Sequence, residues 1–410
     1  MALGFTACGD DDDDDDGGGG GEFGDTATIY SSLPLQGANR PQTTAMVQGM
    51  ELALEQAGNQ AGDLTIEYES LDGSTAQAGQ WTPEATSANA RRAAQDDSAI
   101  GYIGEFNSGA SAVSLPILNE GGLAQISPAN TAVGLTSDEP GADAGEPDKY
   151  YPTGERHYAR IVPKDTIQAA ALVTTMADDG CENAFMTNDK EVYGAGLARN
   201  IEIAAEEQGF EILANEGIDK NAANYRSLAQ RAASADADCF VYSGIIENNA
   251  VQIFKDFAAA LPNADLYGPD GVALGAFADP DTGVPPDVGA RTKVTVATLE
   301  PGSYPPEGQA FFDEYNQKYN VRNPDPYAIY GYEAMNLMLD AIARAQEEGE
   351  LSRQAVIDQV FATEGREGVL GTYDIDENGD TTLTTYGVYR IEDGALVFDK
   401  AVEAQAGGGE

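Results

Sequence analysis

Short apolar runs alternate with amphipathic stretches along most of this chain, and no other feature narrows its fold as much. Residues 26–30 read as a strand, and Met46, Val47, Met50, Ala53 and Leu54 recur behind it at helical spacing. Residues 64–68 are a second strand, 83–95 a helix with proline near its first turn, and 100–104 a third strand. A helix over 110–118 and a fourth strand over 123–126 follow. Alternation of this kind argues for parallel sheets with helices on both faces.

Asp, Glu, Pro and Gly crowd residues 136–151 and predict a surface loop. The alternation then restarts. Strands are expected at 184–188, 210–214, 239–243 and 264–267, with helices at 166–178, 192–208, 223–235 and 247–260. Two α/β lobes of like architecture follow, which suits 410 residues better than a single core does. A further strand is expected at 293–299 and helices at 307–319 and 327–346. Ala334, Leu337, Met338, Ala341 and Ile342 form the buried stripe of the last helix. Residues 369–398 read as β-rich, with Gly379 and Gly394 at turns. No apolar run approaches the length that crosses a bilayer.

Charge excludes several functions. Lys and Arg total 22 against 69 Asp and Glu, a formal net charge of −47. Such a surface repels phosphate backbones, so a nucleic-acid partner is not expected. The acidity reads as a solubility device for salty or acidic surroundings. One histidine, His157, leaves little material for imidazole catalysis or zinc, and no Ser-His-acid set can be built around it. Tyr193-Gly-Ala-Gly-Leu lacks the dinucleotide fingerprint, and no phosphate loop with Gly-Lys-Ser/Thr occurs. Asp374-Ile-Asp376-Glu-Asn378-Gly379-Asp380 resembles the first half of a calcium loop, but Thr385 stands where a bidentate Glu is required, so a hairpin turn is expected. Neither an enzyme, a cofactor nor a metal is predicted. Trp81 is read as an anchor for its loop.

The N-terminus offers a different signal. Small residues before Cys8, then residues 10–16 as an Asp tract and 17–21 as glycines, look like the end of a bacterial lipoprotein signal followed by a tether. In such proteins the cysteine, here Cys8, receives the lipid; Phe5 stands where Leu is usual. Residues 9–24 should be a flexible linker. Cys181 and Cys239 each stand at the entry of a predicted strand. The first and third strands of a doubly wound lobe are neighbours, so the two could form a disulfide in an exported protein, or remain buried thiols.

Doubly wound lobes bind ligands beyond the C-terminal ends of their strands. After the third strand comes Gly104-Glu-Phe-Asn-Ser108-Gly-Ala-Ser111, a helix start that serves either as an ordinary N-cap or as a carboxylate site. After the fourth comes Ser127-Pro-Ala-Asn-Thr131, again small polar residues with backbone amides. Together they suggest a carboxylate cradle. In the second lobe Tyr193 is placed to lid a pocket. Asp270, between Pro269 and Gly271, reads as a turn acid or as the partner of an ammonium group across the cleft.

At these strand ends the sequence resembles the leucine/isoleucine/valine-binding family of ABC-transporter substrate-binding proteins, which have the type I periplasmic-binding fold. The likeness runs from Ala27 to Val402 through Leu33-Pro-Leu-Gln-Gly37, Ile126-Ser-Pro-Ala-Asn-Thr131, Tyr193-Gly-Ala-Gly-Leu-Ala198, Gly268-Pro-Asp-Gly271, Pro326-Tyr-Ala-Ile-Tyr-Gly-Tyr-Glu-Ala334 and Gly379-Asp380. It implies that Ser108 and Thr131 bind the ligand carboxylate, that the Ala129 carbonyl and Asp270 take its ammonium, and that Tyr193 is an aromatic contact. Asp270 stands where Glu is usual. Gln42 falls about where an aromatic residue is expected, Ile245 and Ile246 near another such place, and Asn130 replaces a small apolar residue. These changes point toward a polar or larger side chain on the ligand.

The expected molecule is a monomeric clamshell joined by a three-stranded hinge: residues 25–160 plus 300–365 as lobe one, 161–299 plus 366–404 as lobe two, and 1–24 as signal remnant and linker. The resemblance implies an exported protein that closes on an amino acid or similar zwitterion and docks on a membrane permease. The alternatives are an amide, urea or aromatic acid as ligand, a sensor role, or an extracellular enzyme on the same lobes.

Overall fold

The computed structural model describes residues 23–349 and 351–404; Cys8 and most of the tether lie outside them. The first sheet holds β1 (Thr26–Leu33), β2 (Leu64–Asp72), β3 (Ala99–Gly104), β4 (Gln125–Ser127) and β5 (Tyr158–Arg160), in the spatial order β2-β1-β3-β4-β5 and all parallel. A two-residue strand, Gln60–Ala61, pairs antiparallel with β2 at the outer edge. Nearly every residue of β1 and all of β3 are buried. Helices cover both faces of the sheet, which is why these strands read as continuous apolar runs.

Helix α1 (Arg40–Gln56) follows β1, α2 (Pro83–Ala94) precedes β3, and α3 (Ser108–Glu120) follows it. The start of α2 is fixed locally: the Thr82 hydroxyl accepts the Ala85 N–H at 3.2 Å, and Pro83 supplies a pre-set φ.

The second sheet repeats the plan. It contains β6 (Asn183–Asn188), β7 (Glu211–Gly217), β8 (Cys239–Ser243), β9 (Asp265–Gly268) and β10 (Thr292–Val296) in the order β7-β6-β8-β9-β10, all parallel. Helices α4 (Asp165–Asp178), α5 (Val192–Gln208), α6 (Arg226–Ser234) and α7 (Ala250–Ala260) belong to this lobe. The antiparallel strands β11 (Thr385–Glu392) and β12 (Ala395–Glu403) extend the sheet beyond β10.

Between β10 and β11 the chain returns to the first lobe as α8 (Pro306–Tyr319), α9 (Ala328–Glu347) and α10 (Arg353–Phe361). Helices α1 and α9 pack backbone to backbone. A Cβ at Gly49 would stand 2.2 Å from the Ala328 carbonyl oxygen, and one at Gly331 would stand 2.1 Å from that of Met46. Only glycine permits that approach. The chain thus crosses between sheets after β5, after β10 and before β11.

The differences from the sequence reading have local causes. Strand β5 is three buried residues behind a polar loop, too short to show a period. The expected helix 247–260 is split because Asn249 takes a left-handed φ of 69°, leaving a short turn at Ile246–Asn248 ahead of α7. The hairpin Arg366–Gly368/Gly371–Tyr373 rests on lobe one, not on lobe two as the expected boundary at 366 has it. Glu333 of α9 is buried, and it takes Arg366 and the Tyr373 hydroxyl at 2.7 Å each, which holds the hairpin there. The acidic loop 136–151 is more than surface. It reaches the second lobe, where Arg199 donates to the Gly141 carbonyl at 2.9 Å and pairs with Asp143 at 3.1 Å. Gly379 and Gly394 sit in turns at φ 93° and 79°.

Cys239 opens β8, and Cys181 stands just before its neighbour β6. Their Cα atoms are 5.9 Å apart and the sulfurs are joined. Both lie at the strands' N-terminal ends, away from the cleft.

Candidate functional site

Each lobe has the strand order 2-1-3-4-5, so its first and third strands flank the point where the winding reverses, and ligands of open α/β sheets bind beyond the C-terminal ends of strands there. A cavity between the lobes is built from both switch points. From lobe one come Gln42 after β1, then Phe106, Asn107 and Ser108 after β3. Tyr193 after β6 and Ile245 after β8 come from lobe two. Ala129 and Thr131, Asp270 and Gly271, and Tyr327 complete the lining.

One end of the cavity can hold an anion. Ser108 is the first residue of α3, and its N–H and that of Gly109 have no backbone carbonyl one turn back to donate to, whereas Ala110 already donates to the Asn107 carbonyl at 2.9 Å. The Ser108 hydroxyl and Thr131 converge on it from adjacent strand ends. The cradle is narrower than the sequence suggested. The Ser127 hydroxyl already accepts the amides of Ala129 at 3.2 Å and Asn130 at 2.9 Å, which shapes the turn and removes those two donors.

Asn130 is a correction. It does not line the cavity; its amide donates to the Phe106 carbonyl at 2.9 Å, and its side-chain oxygen accepts the hydroxyls of Ser111 and of Tyr158, the latter at 3.1 Å. Buried among those partners, it holds the two loops together. Ile246 likewise falls in the turn behind the cavity wall, and Ile245 faces the cavity in its place. Ile245 is held by its N–H to Asp189 at 2.9 Å, a buried carboxylate that also accepts the N–H of Glu191 at 3.0 Å just before α5.

Asp270 lines the same cavity from lobe two. One carboxylate oxygen accepts the Tyr193 hydroxyl and, at 3.2 Å, the Gln168 amide; the other accepts the Tyr327 hydroxyl at 2.8 Å. Burial pushes its pKa up, and these three donors oppose that. Tyr327 belongs to lobe one, so its bond to Asp270 also ties the lobes together. A carboxylate that lines the cavity can act as the counter-charge of an ammonium group.

Two groups near the site were not anticipated. Asp165 opens α4, and its N–H donates to the Thr131 carbonyl at 2.8 Å. It is fully buried, and neither carboxylate oxygen has a partner in good geometry. Burial pushes its pKa up to about 8; the nearby Thr131 hydroxyl and, less, Arg160 oppose the rise, and Asp270 adds to it. Beneath the cradle the buried Arg160 pairs with Asp380 at 2.6 Å and donates to the Ala132 carbonyl at 2.8 Å. Lys164 reaches Asp380 at 3.2 Å. This cluster joins the first and third crossings, and Gly379 delivers its acid: a Cβ there would stand 2.1 Å from the Tyr158 carbonyl oxygen. Asp376 accepts the amides of Asn378 and Asp380, closing the predicted turn on itself. His157 is buried beside Asn119 at 3.0 Å, its pKa lowered to about 3 by desolvation, so it is neutral packing.

Two parallel α/β lobes, crossed by three segments and meeting on a cavity with an anion cradle facing a carboxylate, define a cleft-binding protein of the type I periplasmic-binding fold. The periplasmic binding protein family model matches residues 28–395, and the chain belongs to that family. It is 24% identical over 296 residues to the Leu/Ile/Val-binding protein homolog 1 of Brucella melitensis, with 72% of each chain covered. It is 22% identical over 294 residues to the leucine-, isoleucine-, valine-, threonine-, and alanine-binding protein of Pseudomonas aeruginosa, covering 70% of each. The leucine-binding protein LivK of Thermotoga maritima superimposes with a TM-score of 0.78 at 20% identity, covering 92% of this chain and 99% of that one. A solute-binding protein of R. palustris in complex with benzoate gives 0.72 at 20% identity, covering 93% and 98%.

Proposed function

We propose that this protein is an exported solute-binding protein of an ABC importer that closes on an amino acid or similar zwitterion. The observation that carries the reading is one cavity lined from lobe one by a helix N-terminus with Ser108 and Thr131 and from lobe two by Asp270. The carboxylate binds lobe one, Asp270 neutralises the ammonium, and Tyr193 and Tyr327 position that acid through their hydroxyls. No bond is made or broken. The closed form is then recognised by a membrane permease, and Cys8 carries the lipid anchor. The Cys181–Cys239 link is a staple outside the site.

Isothermal titration of the purified protein against a panel of amino acids tests this. At least one zwitterion should bind, and Asp270→Ala should weaken it by about 100-fold or more, because an ammonium in a buried site loses the carboxylate that lines its cavity. The second reading, an aromatic acid in the same cleft, rests on the rings of Phe106, Tyr193 and Tyr327 in its lining. It predicts that a carboxylate without an amine binds and that Asp270→Ala leaves its affinity unchanged or improved.

A further inference from the structure

We infer that the lobe-one wall of this cavity selects an amino acid whose side chain carries an O–H or N–H donor, through Gln42 and Asn107. The inference rests on the zwitterion reading above and deepens it. Gln42 is buried in the third position of α1 and lines the cavity. Its amide nitrogen donates to Asp325 at 3.3 Å, and the same Asp325 oxygen accepts the Tyr327 N–H at 3.0 Å. A carboxylate that takes the NH2 group fixes the orientation of the amide. The Gln42 carbonyl oxygen is thereby left as the atom that meets a ligand.

Asn107 supplies a second acceptor. It occupies the N-cap of α3, where an asparagine side chain ordinarily accepts an N–H from the first turn. Here it makes no such bond. The residue is 8% exposed and lines the cavity, and its side-chain oxygen is buried without a partner. Gln42 and Asn107 follow β1 and β3, which are adjacent strands, so both acceptors belong to one wall.

The protein offers that wall no spare donor from its phenols, because Tyr193 and Tyr327 both spend their hydroxyls on Asp270. An aliphatic side chain would cover the Gln42 oxygen and leave the already buried Asn107 oxygen without a partner, whereas a hydroxyl, amide or ammonium would offer them a donor. Among the described residues no Lys or Arg lines the cavity, so an acidic side chain finds no basic partner there. Leaving such acceptors unpaired weakens binding by about 10- to 100-fold.

Titration with threonine and its isostere valine, then with glutamine, lysine, leucine and methionine, tests the inference. The tightest donor-bearing ligand should exceed the tightest aliphatic one by about 10-fold or more. Gln42→Leu should narrow or reverse that ratio by favouring leucine or methionine. Asn107→Ser, a smaller change at the other acceptor, serves the same comparison if Gln42→Leu does not fold. An aliphatic amino acid that binds as tightly as any donor-bearing one in the unaltered protein overturns the inference and leaves the zwitterion reading standing. Absence of binding by every amino acid overturns both.

Discussion

Asp165 carries more of the site's electrostatics than its position suggests. A carboxyl group at a helix start is ordinarily favourable, since the dipole welcomes negative charge. Here desolvation wins: the group is fully buried, and its pKa is pushed up to about 8 with Asp270 nearby. The sign for stability follows directly. A folded-state pKa above the unfolded one means that the stabilisation is complete below the unfolded pKa of about 4 and is lost as pH rises through about 8. Asp165→Asn keeps the shape and cannot ionise, so it escapes that loss. Its stability relative to the unaltered protein should rise between about pH 5 and about pH 8, by roughly 2–4 kcal/mol. Urea denaturation at both pH values measures it, and a difference independent of pH would show that Asp165 is not the titrating group. The reason this residue escaped the sequence is instructive. Lys164-Asp-Thr reads as an ordinary helix start, and only the return of β4 and the approach of Asp270 make its carboxyl unusual. Ser108, Thr131 and Asp270 were legible because they stand at strand ends, whereas Gln168, Tyr327 and Asn107 depend on which neighbours fold against them.

Elements with a clear period were legible, and those without one were not. Helix α9 announced itself by its apolar stripe, and β1, β3, β6 and β8 by their buried runs. The nine-residue α10 has no such stripe, and its start is fixed by a cap, the Ser352 hydroxyl accepting the Ala355 N–H at 3.1 Å. The lobe of the hairpin at Arg366–Tyr373 is not legible because its attachment gathers on one buried acid, Glu333, which takes Arg366, the Tyr373 hydroxyl and the Val369 N–H, contacts that no pattern along the chain records. The cysteine pairing was legible from topology, since the strand order that places β8 beside β6 also brings their entries together. A cross-link with a sequence separation of 58 restricts the unfolded chain by about 4 kcal/mol in the loop-entropy model. Replacing both cysteines with serine should therefore lower unfolding free energy by roughly 2–4 kcal/mol. Ligand affinity should stay within about 2-fold, because the link and the cleft lie at opposite ends of the same strands. Denaturant titration and calorimetry on one preparation separate the two effects. A matching loss of affinity would mean that the staple shapes the cleft.

Net charge acts on the whole molecule. Every one of the 22 basic residues could pair with an acid and 47 acids would still be left. Two of the pairs that form are buried and structural, Arg160–Asp380 at the crossings and Arg366–Glu333 under the hairpin, while others, such as Arg92–Glu69 and Lys400–Asp178, lie on the surface. The excess therefore repels itself, opposing both folding and the approach of two acidic lobes. Salt screens such repulsion over a distance that falls from about 10 Å at 0.1 M to about 3 Å at 1 M. Thermal midpoint and ligand affinity should both rise between about 0.1 M and about 2 M sodium chloride near neutral pH. The sequence pI of about 4.1 supplies the control. Close to that pH the net charge vanishes, so the screening gain should shrink toward zero, while a general salting effect on apolar burial would persist. Melting curves across the salt series at the two pH values decide between them. A slope that is equal at both would assign the acidity no part in stability. A slope present only near neutrality would make salt a condition for the closed cleft, acting through the surface with Asp270 and the cradle unchanged.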